Sequence, residues 1–237
     1  MRSPRAPRAG SIEEGFRYRG TEITRLEAFS DAVFGFALTL LVVSLDVPRT
    51  FDDLMAVMRG FPAFAICFLF LALIWNAYNR FCRRYGLDDG MTRFLTCVML
   101  FLVLFYVYPL KFLFNFSIAS SFSGRASMTL AQFSTLMLIY GLGFAAVYGS
   151  LMLLSCHAYR LRDELELNEL ERFDTRYAIW RHFMLVSIGI IAAILSRFPS
   201  IVGYSAFTYL ALFPMLRGQR LLQRRRRAPY LAASRAG

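Results

Sequence analysis

Uncharged apolar runs alternate with short arginine-rich breaks along most of this chain. Six runs can be read, at 29–47, 61–79, 94–110, 128–156, 179–196 and 198–216. Most reach the roughly 17–25 residues a helix needs to cross a hydrocarbon core. The pattern predicts an all-α membrane protein with six transmembrane helices per subunit. Arg181 and His182 interrupt the fifth run near its start and leave 14 uncharged residues, Phe183 to Ser196. Snorkelling of the Arg181 guanidinium to the interface would complete that span.

The breaks set the organisation. Residues 1–20 are rich in Arg, Pro, Gly and Ser and are expected to form a disordered basic arm. Residues 21–216 form one six-helix domain with no internal repeat, and 217–237 a basic cytoplasmic tail. The longest internal polar segment, 157–176, carries Leu161, Leu165, Leu167 and Leu170 in a partly helical period. It reads as a cytoplasmic extension of the fourth and fifth helices. The segment 115–127, rich in Ser and Phe, is placed at the outer interface.

Composition agrees with a membrane protein. Of 237 residues, 57% are hydrophobic and only 18% charged, with mean hydropathy +0.46, which excludes an ordinary soluble domain. The basic residues number 27, and with six spans all but Arg49, Arg59, Lys111, Arg125 and Arg197 fall on the side of the termini. The positive-inside rule then puts both termini in the cytoplasm. The net charge of +11 is thereby a topology signal and does not argue for nucleic acid. Arg224, Arg225, Arg226 and Arg227 are either a solvated tail or a contact for anionic lipids. Lys111 is the only lysine, which suits a GC-rich bacterial genome and a bacterial plasma membrane, the inner membrane. The polar N-terminus lacks an early apolar core, so no cleavable signal peptide is expected.

Cys67, Cys82, Cys97 and Cys156 have neither close pairing nor zinc spacing, and no metal or cofactor is expected. His157 and His182 read as helix-end or interfacial residues. The spans contain no His-Glu, Cys-His or Asp-Asp pair, which argues against an enzyme. Gly141, Ala145 and Gly149, at four-residue spacing, allow close helix approach, within a subunit or between subunits. Val202-Gly203-Tyr204 looks like part of a potassium-channel filter, but Ile201 and Ser205 flank it and no pore helix precedes it. A carbonyl filter is not expected there.

The first run carries the chemistry. Arg25-Leu-Glu-Ala-Phe-Ser-Asp31 places an arginine and a carboxylate at the mouth of an apolar helix. Charges there are costly in a bilayer and need partners. The second span offers Trp75, Asn76, Tyr78, Asn79 and Arg80 at the same depth, so a buried polar network is expected. Further along, Phe36, Leu40, Val43 and Val47 share one helical face, with Thr39 beside Leu40. An apolar stripe of this kind also suits simple packing.

The motif Arg25-x-x-Ala28-Phe29-Ser30-Asp31, with Thr39-Leu40-Leu41 further on, resembles the first-helix signature of the transmembrane protein 175 family of cation channels. The resemblance implies a symmetric homotetramer in which the first helices line a central pore. It implies a structural role for Arg25, Phe29, Ser30 and Asp31, with Trp75, Tyr78 and Asn79 as network partners. It also implies a constriction at Phe36, Leu40 and Val43, with Thr39 as a polar ring, and a permeating monovalent cation, potassium first. The chain departs from the family at Phe36, where isoleucine or leucine is commoner. It departs again at Asn76, where many relatives have histidine after the tryptophan. The alternatives are a proton-coupled secondary transporter, disfavoured by a midplane nearly free of carboxylates, and a non-conducting membrane protein, which Phe36 favours.

Overall fold

The computed structural model describes residues 12–13, 15–43, 49–59, 61–123, 128–198 and 200–202, with 208, 215, 217, 218 and 223. Six helices run through them: α1 (Arg25–Val43), α2 (Phe51–Arg59), α3 (Phe61–Tyr85), α4 (Gly90–Ser123), α5 (Leu130–Arg160) and α6 (Glu169–Leu195). The strands β1 (Ile12–Glu13) and β2 (Phe16–Arg17) pair antiparallel ahead of them. Four stretches are long and apolar enough to cross a membrane: Phe64–Tyr85, Gly90–Leu110, Leu130–Arg160 and Glu169–Leu195. The first apolar run corresponds to α1, and the sixth lies almost wholly outside the described residues.

Two elements differ from the reading of the apolar runs. The short helix α2 was not predicted. Its exposed Phe51, Leu54 and Met58 follow steps of three and four, the pattern of a helix lying along an interface. Residues 115–123, expected in a connection, continue α4 beyond Pro109. As expected, the polar segment 157–176 extends both helices it joins: α5 runs to Arg160 and α6 begins at Glu169.

The long helices each bury a stripe. In α3, Cys67, Leu71, Ile74, Tyr78, Phe81 and Tyr85 alternate steps of four and three and are all buried. They meet Phe34, Ala37 and Leu41 of α1 and Met99, Val103 and Tyr106 of α4 in one core. The helices α5 and α6 approach most closely. A methyl group added at Gly141 would stand 2.6 Å from the Gly189 carbonyl oxygen, and one at Gly189 would stand 2.7 Å from that of Gly141. Ala145 and Ala193 flank this crossing. The stripe of small residues therefore works inside the chain, where contact area comes from backbone approach. Gly149 is looser, with Val186 Cγ2 at 3.9 Å from an added methyl.

The arginine-rich end is fastened by polar contacts. Asn168 and Glu171 form a capping box on α6: Glu171 N donates to Asn168 Oδ1 (2.8 Å) and Asn168 N to Glu171 Oε2 (3.1 Å). The same buried carboxylate accepts from Arg17 N (2.9 Å), Arg17 Nε (3.2 Å) and the Arg19 guanidinium (2.7 Å). Arg17 is accordingly held above its ordinary value by the hydrogen bond to Glu171. Phe16 is fully buried, edge-on to Tyr85 and beneath the Arg84 guanidinium at 4.7 Å. The expectation of a disordered 1–20 arm thus fails for 16–20, which form a strap over the ends of α3 and α6. Gly86, at φ +59°, leaves room for that strap: an added methyl would meet the Arg19 carbonyl carbon at 2.9 Å.

At the start of α4, Asp89 accepts from Met91 N (3.2 Å) and the Thr92 hydroxyl and pairs with His157 Nε2 at 2.8 Å. Burial pushes the Asp89 carboxyl up, but the bonds to Thr92 and His157 outweigh it and leave it below the usual carboxylate value.

The α5–α6 crossing yields a test. Gly141→Leu should destabilise the purified protein by about 1–3 kcal/mol, the usual scale for overpacking. Gly149→Ala should melt close to wild type. Equal effects in thermal unfolding would mean that the crossing is not held by close approach at Gly141.

Candidate functional site

The helix α1 has two unlike faces. Glu27, Ser30, Phe34, Ala37 and Leu41 recur at steps of three and four and are buried against α3 and α4. On the other side Arg25, Phe29, Ala32, Gly35, Phe36 and Thr39 are exposed, and Leu40 is half-buried. Phe36 is 69% exposed, although it is one of the largest apolar side chains in the helix. Of the stripe predicted from periodicity, Phe36 is exposed and Leu40 half-buried among the described residues. Val43 ends the helix with its side chain outside the described residues, as is all of Val47.

The polar motif joins α1 to α3. Trp75 Nε1 donates to Asp31 Oδ1 at 2.7 Å. Ser30 Oγ bonds back to the Leu26 carbonyl at 2.7 Å and shares a 3.2 Å hydrogen bond with the Tyr78 hydroxyl. Adjacent residues of α1 thus meet residues one turn apart on α3, which fixes both the rotation of α1 and its height against α3. The Ser30–Tyr78 contact is fully buried, whereas Asp31 and Trp75 stand at the exposed margin. The expected buried network is buried on one side only.

The other motif residues stay apart from this link. Arg25 is exposed and in no ion pair among the described residues. Phe29 is 55% exposed. Asn79 is half-buried and makes no hydrogen bond to the motif among the described residues, so the polar contacts to α3 run through Trp75 and Tyr78. Thr39 Oγ1 donates to the Gly35 carbonyl at 2.8 Å. This turns the hydroxyl hydrogen inward and leaves the oxygen lone pairs on the exposed face. Val202 is buried, while Gly203 and Tyr204 of the filter-like tripeptide lie outside the described residues, as do Arg224, Arg225, Arg226 and Arg227.

Sequence reasoning missed two features near this helix. Glu27 is buried on the inner face, its amide capped by Thr24 Oγ1 at 3.1 Å. Its place three residues before Ser30 was the available signal. The second is the strap, which pins the chain five residues before α1 begins: the Arg19 and Gly20 amides donate to the Arg83 carbonyl at 3.2 and 3.1 Å. Beyond the Asp31 margin, the described residues of the exposed α1 face from Ala32 onward offer only the Thr39 hydroxyl as a polar side chain. Among the described residues no group of His, Cys, Asp or Glu is arranged to hold a metal ion.

Comparison with known proteins points the same way. The family model described as the endosomal/lysosomal potassium channel TMEM175 matches residues 25–107, which span α1 to α4. A potassium channel of Marivirga tractuosa is 38% identical over 195 residues, 78% of this chain and 79% of the relative. One of Streptomyces collinus is 27% identical over 133 residues, 54% of this chain and 63% of the relative. A crystal structure of a threonine-to-alanine variant of the potassium channel MtTMEM175, in complex with a nanobody fusion, is similar at a TM-score of 0.80. It is 34% identical, and the match covers 90% of this chain and 99% of that one.

The link between α1 and α3 can be tested by a double-mutant cycle. Trp75→Phe should cost about 1.5–3 kcal/mol, because it removes a donor from a carboxylate. Asp31→Ala should cost at least as much, and the double variant less than the sum of the two. Additive losses in thermal unfolding would show that the two side chains do not depend on each other.

Proposed function

This chain belongs to the TMEM175 family, and on that premise we propose that it is a potassium-permeable channel in which the α1 helices of a symmetric tetramer surround a central pore. The observation that carries this reading is the uncovered α1 face, with Phe36 at 69% exposure opposite the stripe that packs into the subunit. A single helix cannot enclose a pore, so a symmetric ring of copies is required. The relatives named as potassium channels supply the ion class. Neither an enzyme activity nor a cofactor enters this account.

In the ring, Phe36, Leu40 and Val43 form successive apolar collars, and Thr39 contributes a collar of hydroxyl oxygens. A narrow apolar passage loses its water, and an ion cannot shed its hydration there without replacement ligands. Phe36 is the tightest collar because its ring reaches furthest from the helix. The Asp31–Trp75 and Ser30–Tyr78 contacts hold the rotation of α1 that keeps Phe36 on the axis. The arginine distribution supports six spans with both termini cytoplasmic, and the lysine-poor composition supports a bacterial inner membrane. The bulk of Phe36 also favours a second reading, in which the ring closes permanently and the protein does not conduct.

Two outcomes are expected. The protein purified in mild detergent or nanodiscs should have the mass of four subunits; a stable monomer would rule out the pore. In liposome flux at matched protein density, Phe36→Ala should raise potassium flux about tenfold, as for a barrier lowered by ~1.4 kcal/mol. Phe36→Asn should raise it further, both with weaker selectivity. Thr39→Ala should alter selectivity more than total flux. Unchanged flux and selectivity in both Phe36 variants, with normal assembly, would remove this side chain from the gate.

A further inference from the structure

Away from α1, three arginines converge on one cleft. Arg80 and Arg84 of α3 and Arg181 of α6 line a cleft between α3, α5 and α6, together with Ser155 and His182. Its cavity volume is about 30 Å³, and the rest of the cleft opens to the surface. The charges of Arg80 and Arg84 both act repulsively on Arg181. Among the described residues neither Arg80 nor Arg181 takes part in an ion pair. An arginine that only snorkels turns its guanidinium to water. Arg181 is half-buried and lines the same cleft as Arg80 and Arg84.

His182 adds an independent sign. Expected at a helix end, it lies mid-helix in α6 and is 5% exposed. Neither of its ring nitrogens has a hydrogen-bond partner among the described residues. Its ring stacks on Tyr148, at 6.4 Å between centroids, and it forms part of the cleft wall. A buried polar side chain left unpartnered costs free energy that a bound acceptor would recover.

We propose that this cleft binds a phosphate group, with the Arg80 and Arg181 guanidiniums clamping its oxygens and the His182 N–H donating from the inner wall. Arginine suits this ligand because its planar fork matches two phosphate oxygens at once. Arg84 adds field from its position over Phe16. The phosphate belongs either to the headgroup of an anionic phospholipid at the arginine-rich membrane face or to free inorganic phosphate. The same cleft serves both sources, and binding there does not depend on ion conduction.

The test uses the full-length protein in detergent. Native mass spectrometry reads retention of phosphatidylglycerol against phosphatidylcholine, and thermal unfolding compares sodium phosphate with sodium chloride at equal ionic strength. Arg181→Gln and the exposed, fold-sparing Arg80→Gln should each weaken binding about tenfold, the scale of one charged hydrogen bond. Arg176→Gln, at the same end but outside the cleft, should leave it unchanged. Selective phosphatidylglycerol retention lost in the cleft variants identifies a lipid phosphate. A phosphate-specific rise in melting temperature lost in the same variants, with lipid retention unchanged, identifies the free anion. Binding of neither ligand to the wild type, or equal binding by wild type and both cleft variants, overturns the proposal.

Discussion

Asp31 and Trp75 meet at 2.7 Å where α1 and α3 cross, and one residue earlier Ser30 meets Tyr78. Two hydrogen bonds offset by one residue on one helix and one turn on the other leave α1 little freedom to rotate. That constraint decides which face is used up inside the subunit and which is left over. With Ser30, Phe34, Ala37 and Leu41 turned inward, Phe36 must point out. A charge-assisted bond of this kind contributes about 1.5–3 kcal/mol, and in an apolar surround the alternative, a bare carboxylate, is worse. A polar motif of four residues thus sets the orientation of an apolar face several residues away.

The rest of the chain holds this arrangement in place. The helices α5 and α6 form a tight pair at Gly141 and Gly189, where backbone meets backbone. At the arginine-rich end Glu171 caps α6 and also receives Arg17 and Arg19. The start of α1 is therefore tied through five residues to the start of α6, and through the Arg83 carbonyl to the end of α3. Among the described residues the outer face of α1 is left exposed, while its base is anchored on two other helices. This division suits a rigid frame presenting one helix to an assembly.

Much of this was legible in the sequence, for physical reasons. Polar side chains inside apolar helices must pair, and so Trp75 and Tyr78 could be named as partners of the motif before any fold was known. Helical periodicity groups Phe36 with Leu40, Val43 and Val47 on one face, but such a stripe suits packing as well as a pore, and the outward reading comes from the family resemblance. Asn79 shares the depth of the motif, but the stripe of α3 puts Tyr78 inward and leaves Asn79 beside the contact. The strap was missed because a single Phe16 among arginines reads as a disordered arm. Its order comes from Glu171, more than 150 positions away, and no local pattern carries that. The charge of Arg181 marks a membrane boundary in the sequence and so predicts a helix end at His182, yet α6 continues well to either side of it.

The central claim is that the free face of α1 lines an aqueous path. Thiol accessibility tests it most directly. With the native cysteines replaced, Phe36→Cys and, as a comparison on the exposed side of α3, Leu69→Cys are each reconstituted and treated with a small charged thiol reagent during potassium flux. The account predicts that Phe36→Cys reacts and that flux is altered by the bound charge, while flux through Leu69→Cys is unaffected. Reaction at neither position, or an unreactive Phe36→Cys in a conducting protein, would contradict it.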